Sequence, residues 1–430
     1  MRESALHDAV KRDDGRSILV GYSGGLDSSM LLHLLANDTD ARRNGLRAIH
    51  VHHGLHPDAD RWAADCEREC MALGISLQVV RVDVDRNAGL GIEGAARAAR
   101  HRAFAEALHD DEVLALAHHR DDQAETFLLR ALRGSGVDGL AAMQPWREYA
   151  PGWLWRPLLD IVQGELHEYA RAHQLRWIDD PSNADSGFDR NFLRNQVMPL
   201  LRERWPHAGD GFARSAALSA QAADLLDLED AGALLRAMRD ERTLDIPALL
   251  EIPLQRRARI LRRWIDGLGL PPLPRNGIDR IETELLLARE YAEARFDWAG
   301  ARVQRWRNTL HASRIHEPLP QDWSQDWDGS AALALPTGDR MELLGADRFE
   351  TPVRVHARQG GERILLPERT HHHALKHVLQ DRDVPPWQRM RMPLLSASGE
   401  LLAAGDGILS ARMDAWLRTH GARLRWITLA

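Results

Sequence analysis

Between Ser17 and His119 four short β-rich runs, SILVGY, LRAIHVHH, LQVVRVDV and EVLALAHH, alternate with helical stretches near residues 28–36, 59–73 and 93–108. Strands alternating with helices build βαβ units with right-handed crossovers. The first part of the chain is therefore expected to be α/β, with a doubly wound parallel sheet. WLWRPLLDI, from Trp153 to Ile161, reads as one more strand, ending at a proline. A helix-rich region follows from about residue 211 to 293. PLPQDWSQDWDGS at Pro318–Ser330 looks like a linker. The remainder reads as short strands, turns and one helix. A chain of 430 residues exceeds one ordinary core. Three domains are expected: an α/β domain over 1–208, a helical domain over 209–320 and a small α+β domain over 335–430.

The first βα junction is the most specific string. In SILVGYSGGLDSSMLLHLL a buried strand runs into Ser23, Gly24, Gly25, Leu26, Asp27, Ser28 and Ser29 and re-enters an apolar helix. In a doubly wound sheet ligands bind at the carboxyl ends of the strands. Glycines without a Cβ let backbone N–H groups close on phosphate oxygens, and the positive end of the next helix faces the same point. Ser23, Ser28 and Ser29 add hydroxyl donors. A carboxylate repels phosphate unless a cation lies between them, so Asp27 is either a Mg²⁺ ligand or a helix N-cap.

Competing nucleotide motifs fail. A Walker A loop needs Gly-Lys-Ser/Thr, and the only lysines are Lys11 and Lys376. GSGVDG at Gly134–Gly139 matches G-x-G-x-x-G but follows a helical run, so it reads as a loop after a helix. Cys66 and Cys70, the only cysteines, rule out a disulfide scaffold and read as structural. No apolar stretch is long enough to span a bilayer, and the N-terminus carries no apolar signal region. A soluble cytoplasmic protein without a membrane partner is expected.

SGGLDS resembles the PP-loop of the ATP pyrophosphatase superfamily, whose domain has the adenine nucleotide alpha hydrolase-like fold. More narrowly, the chain resembles the tRNA(Ile)-lysidine synthetases, in HVHHGL (50–55), EGAARAAR (93–100), AHHRDDQAET (117–126), RGSGVDGLAAM (133–143), RPLL (156–159), DDPSN (179–183), RNFLRN (190–195) and LKHVLQDRDVPPWQRMRMPLL (375–395). His56, Gly94 and His101 depart from the family pattern, standing where arginine, an acidic residue and tyrosine are common. The resemblance implies a ligase with ATP as co-substrate and Mg²⁺. ATP adenylates the oxygen on carbon 2 of the wobble cytidine in a CAU-anticodon isoleucine tRNA. The amine of free L-lysine then displaces AMP, which leaves lysidine and converts decoding from AUG to AUA.

That chemistry assigns roles to particular residues. Asp27 and the loop meet the departing pyrophosphate. Arg97 reaches phosphate or the adenylate, or else pairs with Glu93 one turn away. The lysine amine, with a pKa of about 10.4 in water, needs a proton acceptor, and His118 and Asp122 stand four apart at a strand–helix junction. Asp121 and Glu125 are further candidates to grip the amine; the alternative for Asp121 and Asp122 is helix capping. His119 is expected to be structural, alternation turning it to the other side of the sheet. Arg190, Asn191 and Arg194 suit phosphate and base contacts in an anticodon loop, or else a helix cap.

Residues 351–430 carry a net charge of +5 against −12 for the first 350. Lys376, Arg389 and Arg391 in this basic tail are expected to hold a tRNA backbone, beside the histidine strip His371–His373. Other classes stay open: a PP-loop tRNA thiolase, for which the cysteines fit poorly, or a non-catalytic nucleotide-binding adaptor. The oligomeric state is open, a homodimer among the options.

Overall fold

The computed structural model describes residues 2–12, 14–84, 91–288 and 294–428. The chain divides into two compact units, 1–228 and 229–430.

In the first unit, strands β1 (Ile18–Gly21), β2 (Leu46–His52), β3 (Ser76–Arg81), β4 (Val113–Ala115), β5 (Trp146–Tyr149) and β6 (Gly152–Trp155) form one sheet in the order β3-β2-β1-β4-β6-β5. All pairings are parallel except the β5–β6 hairpin at the edge. The pleat sends alternate residues to opposite faces. Ile18 and Val20 of β1 join a core with Leu31, Leu34 and Leu35, while Leu19 joins Ile49, Phe104, Leu114 and Leu154 on the other face. Both faces are covered, as a parallel sheet requires.

The helices are α1 (Leu26–Asn37), α2 (Ala59–Leu73), α3 (Gly91–Ala107), α4 (Arg120–Leu132) and α5 (Gln163–Ala172). The strand order reverses at β1, so the crevice for a ligand opens beside its carboxyl end. GSGVDG leaves the end of α4 through Gly134 in the left-handed region (φ 68°) and enters only a four-residue helix, which fits a loop after a helix. A short helix at Asp189–Phe192 continues through a π-turn at Leu193–Val197 into Met198–Arg204.

A 30-residue helix, Ala208–Ala237, crosses residue 228. Beyond it the segment is helical through Leu285, but it also holds an antiparallel sheet of five strands. ARVQRW and TLHASR (301–306 and 309–314) pair as a hairpin in which buried and part-exposed residues alternate, the period-2 signature that a helical reading of 209–320 passed over. That sheet packs on the apolar face of Leu254–Gly267 through Ile260, Leu261, Trp264 and Ile265.

The stretch read as a linker is in part structural. Ser324–Trp327 pairs with Val353–His356 and buries Trp327. Among the described residues the tail carries three helices, Leu375–Asp381, Pro386–Arg391 and Ala411–Thr419, where one was expected; the first two are under eight residues, too short for periodicity to reveal. Among the described residues no helix is long and apolar enough to cross a membrane.

Candidate active site

The loop after β1 is held from within and from behind. Ser28 Oγ donates to the Gly25 carbonyl (3.0 Å), lies 2.9 Å from Ser23 Oγ and accepts from the Ser23 backbone N–H. Ser29 Oγ donates to the Gly24 carbonyl. Gly24 has φ 82°, and a Cβ there would stand 2.6 Å from Ile178 Cδ1 and 2.8 Å from Cys66 Sγ. The Ile178 N–H also donates to the Gly24 carbonyl (2.9 Å), so the segment before DDPSN clamps the loop. Cys66 lies 3.5 Å from His50 Nδ1, which donates to the Tyr22 carbonyl. Burial pushes the thiols of Cys66 and Cys70 up to about 12 and about 11, so both stay protonated and inert.

Asp27 is not the cap of α1. Gly25 occupies the N-cap position, without a side-chain cap, and Asp27 is the second helical residue. Its Oδ2 lies 3.6 Å from His119 Nε2, and its Oδ1 is buried with no hydrogen-bond partner. An orphaned carboxylate oxygen at the mouth of a phosphate-type loop suits Mg²⁺, which takes one or two carboxylates and completes its shell with phosphates and water. Among the described residues no cluster of three or more His, Cys, Asp or Glu side chains is arranged to hold a metal alone, so the nucleotide would have to supply the remaining ligands.

His119, expected on the far side of the sheet, stands between Asp27 and Asp122, with Nε2 3.5 Å from Asp122 Oδ2. The alternation argument fails because β4 ends at Ala115, four residues earlier. Burial lowers the His119 pKa, but Asp27, Asp122 and Asp121 outweigh it and hold it above the ordinary histidine value. His118 takes a different partner: Arg156 Nε donates to its Nδ1 (3.2 Å). Burial first, then Arg156, Arg190 and Arg100, hold His118 well below its ordinary value despite Asp122, so it is neutral.

Asp122, Glu125, Arg190 and Arg194 form one ion cluster in which the carboxylates are buried and the arginines part-exposed. Arg190 and Arg194 each donate to Asp122 Oδ1 at 2.8 Å. Arg190 Nε donates to Glu125 Oε2 (2.8 Å), and Arg194 Nε donates to Oε1 (2.7 Å). Asp122 also caps α4 by accepting from the His119 N–H. Burial raises the Asp122 pKa, yet His119, Arg190, His118 and Arg194 hold it well below the carboxylate range, which makes it a weaker proton acceptor than a free carboxylate. Arg190 and Arg194 meet carboxylates of their own chain where a tRNA contact was expected. Asp121 accepts from the Gln163 N–H and from Arg202, and so ties α4 to α5. Asn191 donates to the carbonyls of Ser182 and Asp185, bracing the DPSN turn.

Arg97 is exposed on α3 and has no ion-pair partner among the described residues, so the pairing with Glu93 is not made. The desolvation of its guanidinium by the surrounding cleft, then Arg190 and Arg130, lower its pKa against Glu93 and Asp122. Burial, with Arg97 and Arg190, brings Arg100 down to about 10. Arg97, Arg100, Arg156 and Arg190 thus crowd positive charge that an anion would relieve. Arg100 and Arg156 were missed in the sequence, although Arg97 and Arg100 stand at i, i+3 on one helix face.

In the tail, Arg391 is buried in an ion pair with Asp339. Arg389 donates to the Val384 carbonyl (2.6 Å), with its guanidinium over the Trp306 ring. Both are committed inside the unit where a backbone contact was expected; Lys376 alone of the three is exposed.

The sheet order, the glycine loop at the end of β1 and the carboxylate in the next helical turn define a PP-loop protein, and the family model of the PP-loop domain matches residues 2–201. Models of the TilS substrate binding domain and the TilS substrate C-terminal domain match residues 244–311 and 353–426. A tRNA(Ile)-lysidine synthase of Xanthomonas axonopodis pv. citri is 55% identical over 415 residues, covering 96% of this chain and 94% of that protein. The namesake proteins of Xylella fastidiosa (51% over 419 residues, 96% of each chain) and Serratia proteamaculans (42% over 415 residues, 94% of each chain) match as fully. The chain belongs to the tRNA(Ile)-lysidine synthase family.

Proposed function

We propose that this enzyme ligates free L-lysine to carbon 2 of the wobble cytidine in a CAU-anticodon isoleucine tRNA, consuming ATP and releasing AMP and pyrophosphate. The observation that carries it is the orphaned Asp27 carboxylate beside His119 at the PP-loop, in a chain whose full-length relatives are lysidine synthases. In the first step the cytidine carbonyl oxygen attacks the α-phosphorus and pyrophosphate leaves. Backbone N–H groups at the glycine turn and the start of α1 bind the departing phosphates. Asp27 would hold Mg²⁺, which when bound neutralises charge on the phosphates. Arg97 and Arg100 supply positive charge on the adenylate side.

In the second step the neutral lysine amine attacks carbon 2, the bond from carbon 2 to the adenylate oxygen breaks so that AMP leaves, and the proton shed by the amine passes to the departing phosphate or to water. Asp122 and Glu125 form the acidic floor beneath the lysine amine, and Arg190 and Arg194 hold the two carboxylates in place. Asp121 and Asn191 act one step removed, holding α4 and the DPSN turn in place. Of Lys376, Arg389 and Arg391, the exposed Lys376 is placed to meet a phosphate backbone. A tRNA substrate with ATP as co-substrate supports a cytoplasmic enzyme.

Pyrophosphate release and incorporation of labelled lysine into purified tRNA test the reading together. Both should require ATP, and incorporation should be confined to the CAU isoleucine tRNA. Pyrophosphate release with sulfur transfer and no lysine incorporation would establish a thiolase instead.

A further inference from the structure

Arg156 follows β6, and only 6% of its surface is exposed. Its Nη1 donates to the Gln144 carbonyl (2.7 Å), and its backbone N–H donates to the Pro145 carbonyl (2.8 Å). The loop it grips is itself fixed, because the Gln123 carboxamide both donates to the Met143 carbonyl and accepts from the Met143 N–H, each at 2.9 Å. The guanidinium is therefore a rigid donor, and it points its Nε–H at His118 Nδ1, 3.2 Å away.

A guanidinium has no acceptor, so the facing ring nitrogen must accept. A neutral imidazole that accepts at Nδ1 carries its proton on Nε2. We propose that Arg156 is a positioning residue that fixes His118 as the Nε2–H tautomer, so that His118 offers a hydrogen-bond donor, and not a base, to the charged oxygens of the phosphoryl group being transferred. This rests on the adenylation reading of the cleft given above. The charges around the ring agree. Burial with Arg156, Arg190 and Arg100 against Asp122 keeps it neutral, and a neutral donor stays paired with its proton through the reaction. Among the described residues nothing takes His118 Nε2, and the residue is part-exposed, which leaves that nitrogen for a ligand. His119, one residue on, lies between Asp27 and Asp122 and serves that other side of the cleft.

Two measurements test the assignment. In the ligand-free, full-length enzyme labelled with ¹⁵N-histidine, the signals lost in His118→Gln identify His118, and their two-bond correlations should show the Nε2–H tautomer at neutral pH. In Arg156→Met the Nδ1–H form should appear. An Nδ1–H or doubly protonated His118 in the unmodified enzyme overturns the proposal whatever the enzyme catalyses, so this arm stands apart from the functional reading.

The second arm is adenylated tRNA formed in a single turnover. Glutamine places an N–H near the position of Nε2 but cannot act as a base. His118→Gln should lower the adenylation rate by only about tenfold, whereas His118→Ala should lose about 10²–10³, the usual cost of removing one donor to a charged transition state. Arg156→Met should lower the rate and leave the KM for tRNA unchanged, with no further loss when added to His118→Gln. Equal loss in His118→Gln and His118→Ala would make the residue a base and refute the donor role.

Discussion

The Glu125 carboxylate is 2% exposed and accepts three charge-assisted hydrogen bonds, from Arg190 Nε and from Arg194 Nε and Nη2, at 2.7 to 2.9 Å. Glu125→Gln removes the charge and turns an N–H₂ group toward a guanidinium. Breaking a buried pair costs about 3–5 kcal/mol when the remaining charge is left alone. Here Asp122 still neutralises part of both arginines, whose side chains keep 19% and 33% exposure, so the cost falls to about 2–3 kcal/mol. At about 2–4 °C per kcal/mol for a unit of some 200 residues, the melting temperature should drop by about 4–12 °C. The assay is a double-mutant cycle with Arg194→Met, followed by thermal unfolding. The two changes should couple by about 1–3 kcal/mol, because removing the arginine relieves what the glutamine offends. The folded-state pKa of Asp122 in the same cluster is depressed. Its stabilisation is full above its unfolded pKa of about 3.9 and is lost as the pH falls through the lower folded value, so the advantage of the native enzyme over Asp122→Asn should shrink in acid. Additivity within about 0.5 kcal/mol, with a shift under about 2 °C, would refute the cluster as a stabilising unit.

Asp27→Asn should abolish pyrophosphate release while the melting temperature holds, since no cap is lost; near-normal release at ordinary Mg²⁺ would remove the metal role. Gly24→Ala must strain a φ of 82° and displace Ile178 and Cys66, so adenylation should fall sharply with α1 still folded; an unchanged rate would show that the loop moves freely in solution. Arg391→Met should destabilise the second unit by about 1–3 kcal/mol, because the buried Asp339 loses its ion pair with Arg391. Lys376→Glu should instead weaken tRNA binding and flatten its salt dependence without altering the melt, and the reverse pattern would exchange the two roles.

The alternation of strands and helices through residue 119 made the parallel sheet legible, because a 2-to-3.6 change of period survives in a single sequence. The hairpin at 301–314 was legible in the same way but was masked by the arginine-rich helix that precedes it. The glycine loop could be read because its residue types serve backbone geometry and phosphate alike. What the sequence withheld was pairing. Arg190 and Arg194 carry the same letters whether they meet a phosphate or the carboxylates of Asp122 and Glu125, 65 to 72 residues away. His118 and His119 are adjacent, and which of them faces Asp27 depends on where β4 stops, at Ala115, a boundary that composition does not mark. Arg156 carried no local signal as the partner of His118, since the contact spans 38 residues.

The thiol seated under Gly24 offers a clock for the loop above it. Cys66 and Cys70 are fully enclosed, so a small disulfide reagent can label them only during excursions in which α2 and the loop part company. While reclosing outpaces the reagent, the labelling rate divided by that of an unfolded thiol gives the free energy of opening at this one place. A nucleotide seated on the loop binds the closed form alone, so the clock should slow in proportion to its occupancy. Two cysteines with no part in the chemistry would then measure nucleotide affinity, without tRNA or turnover.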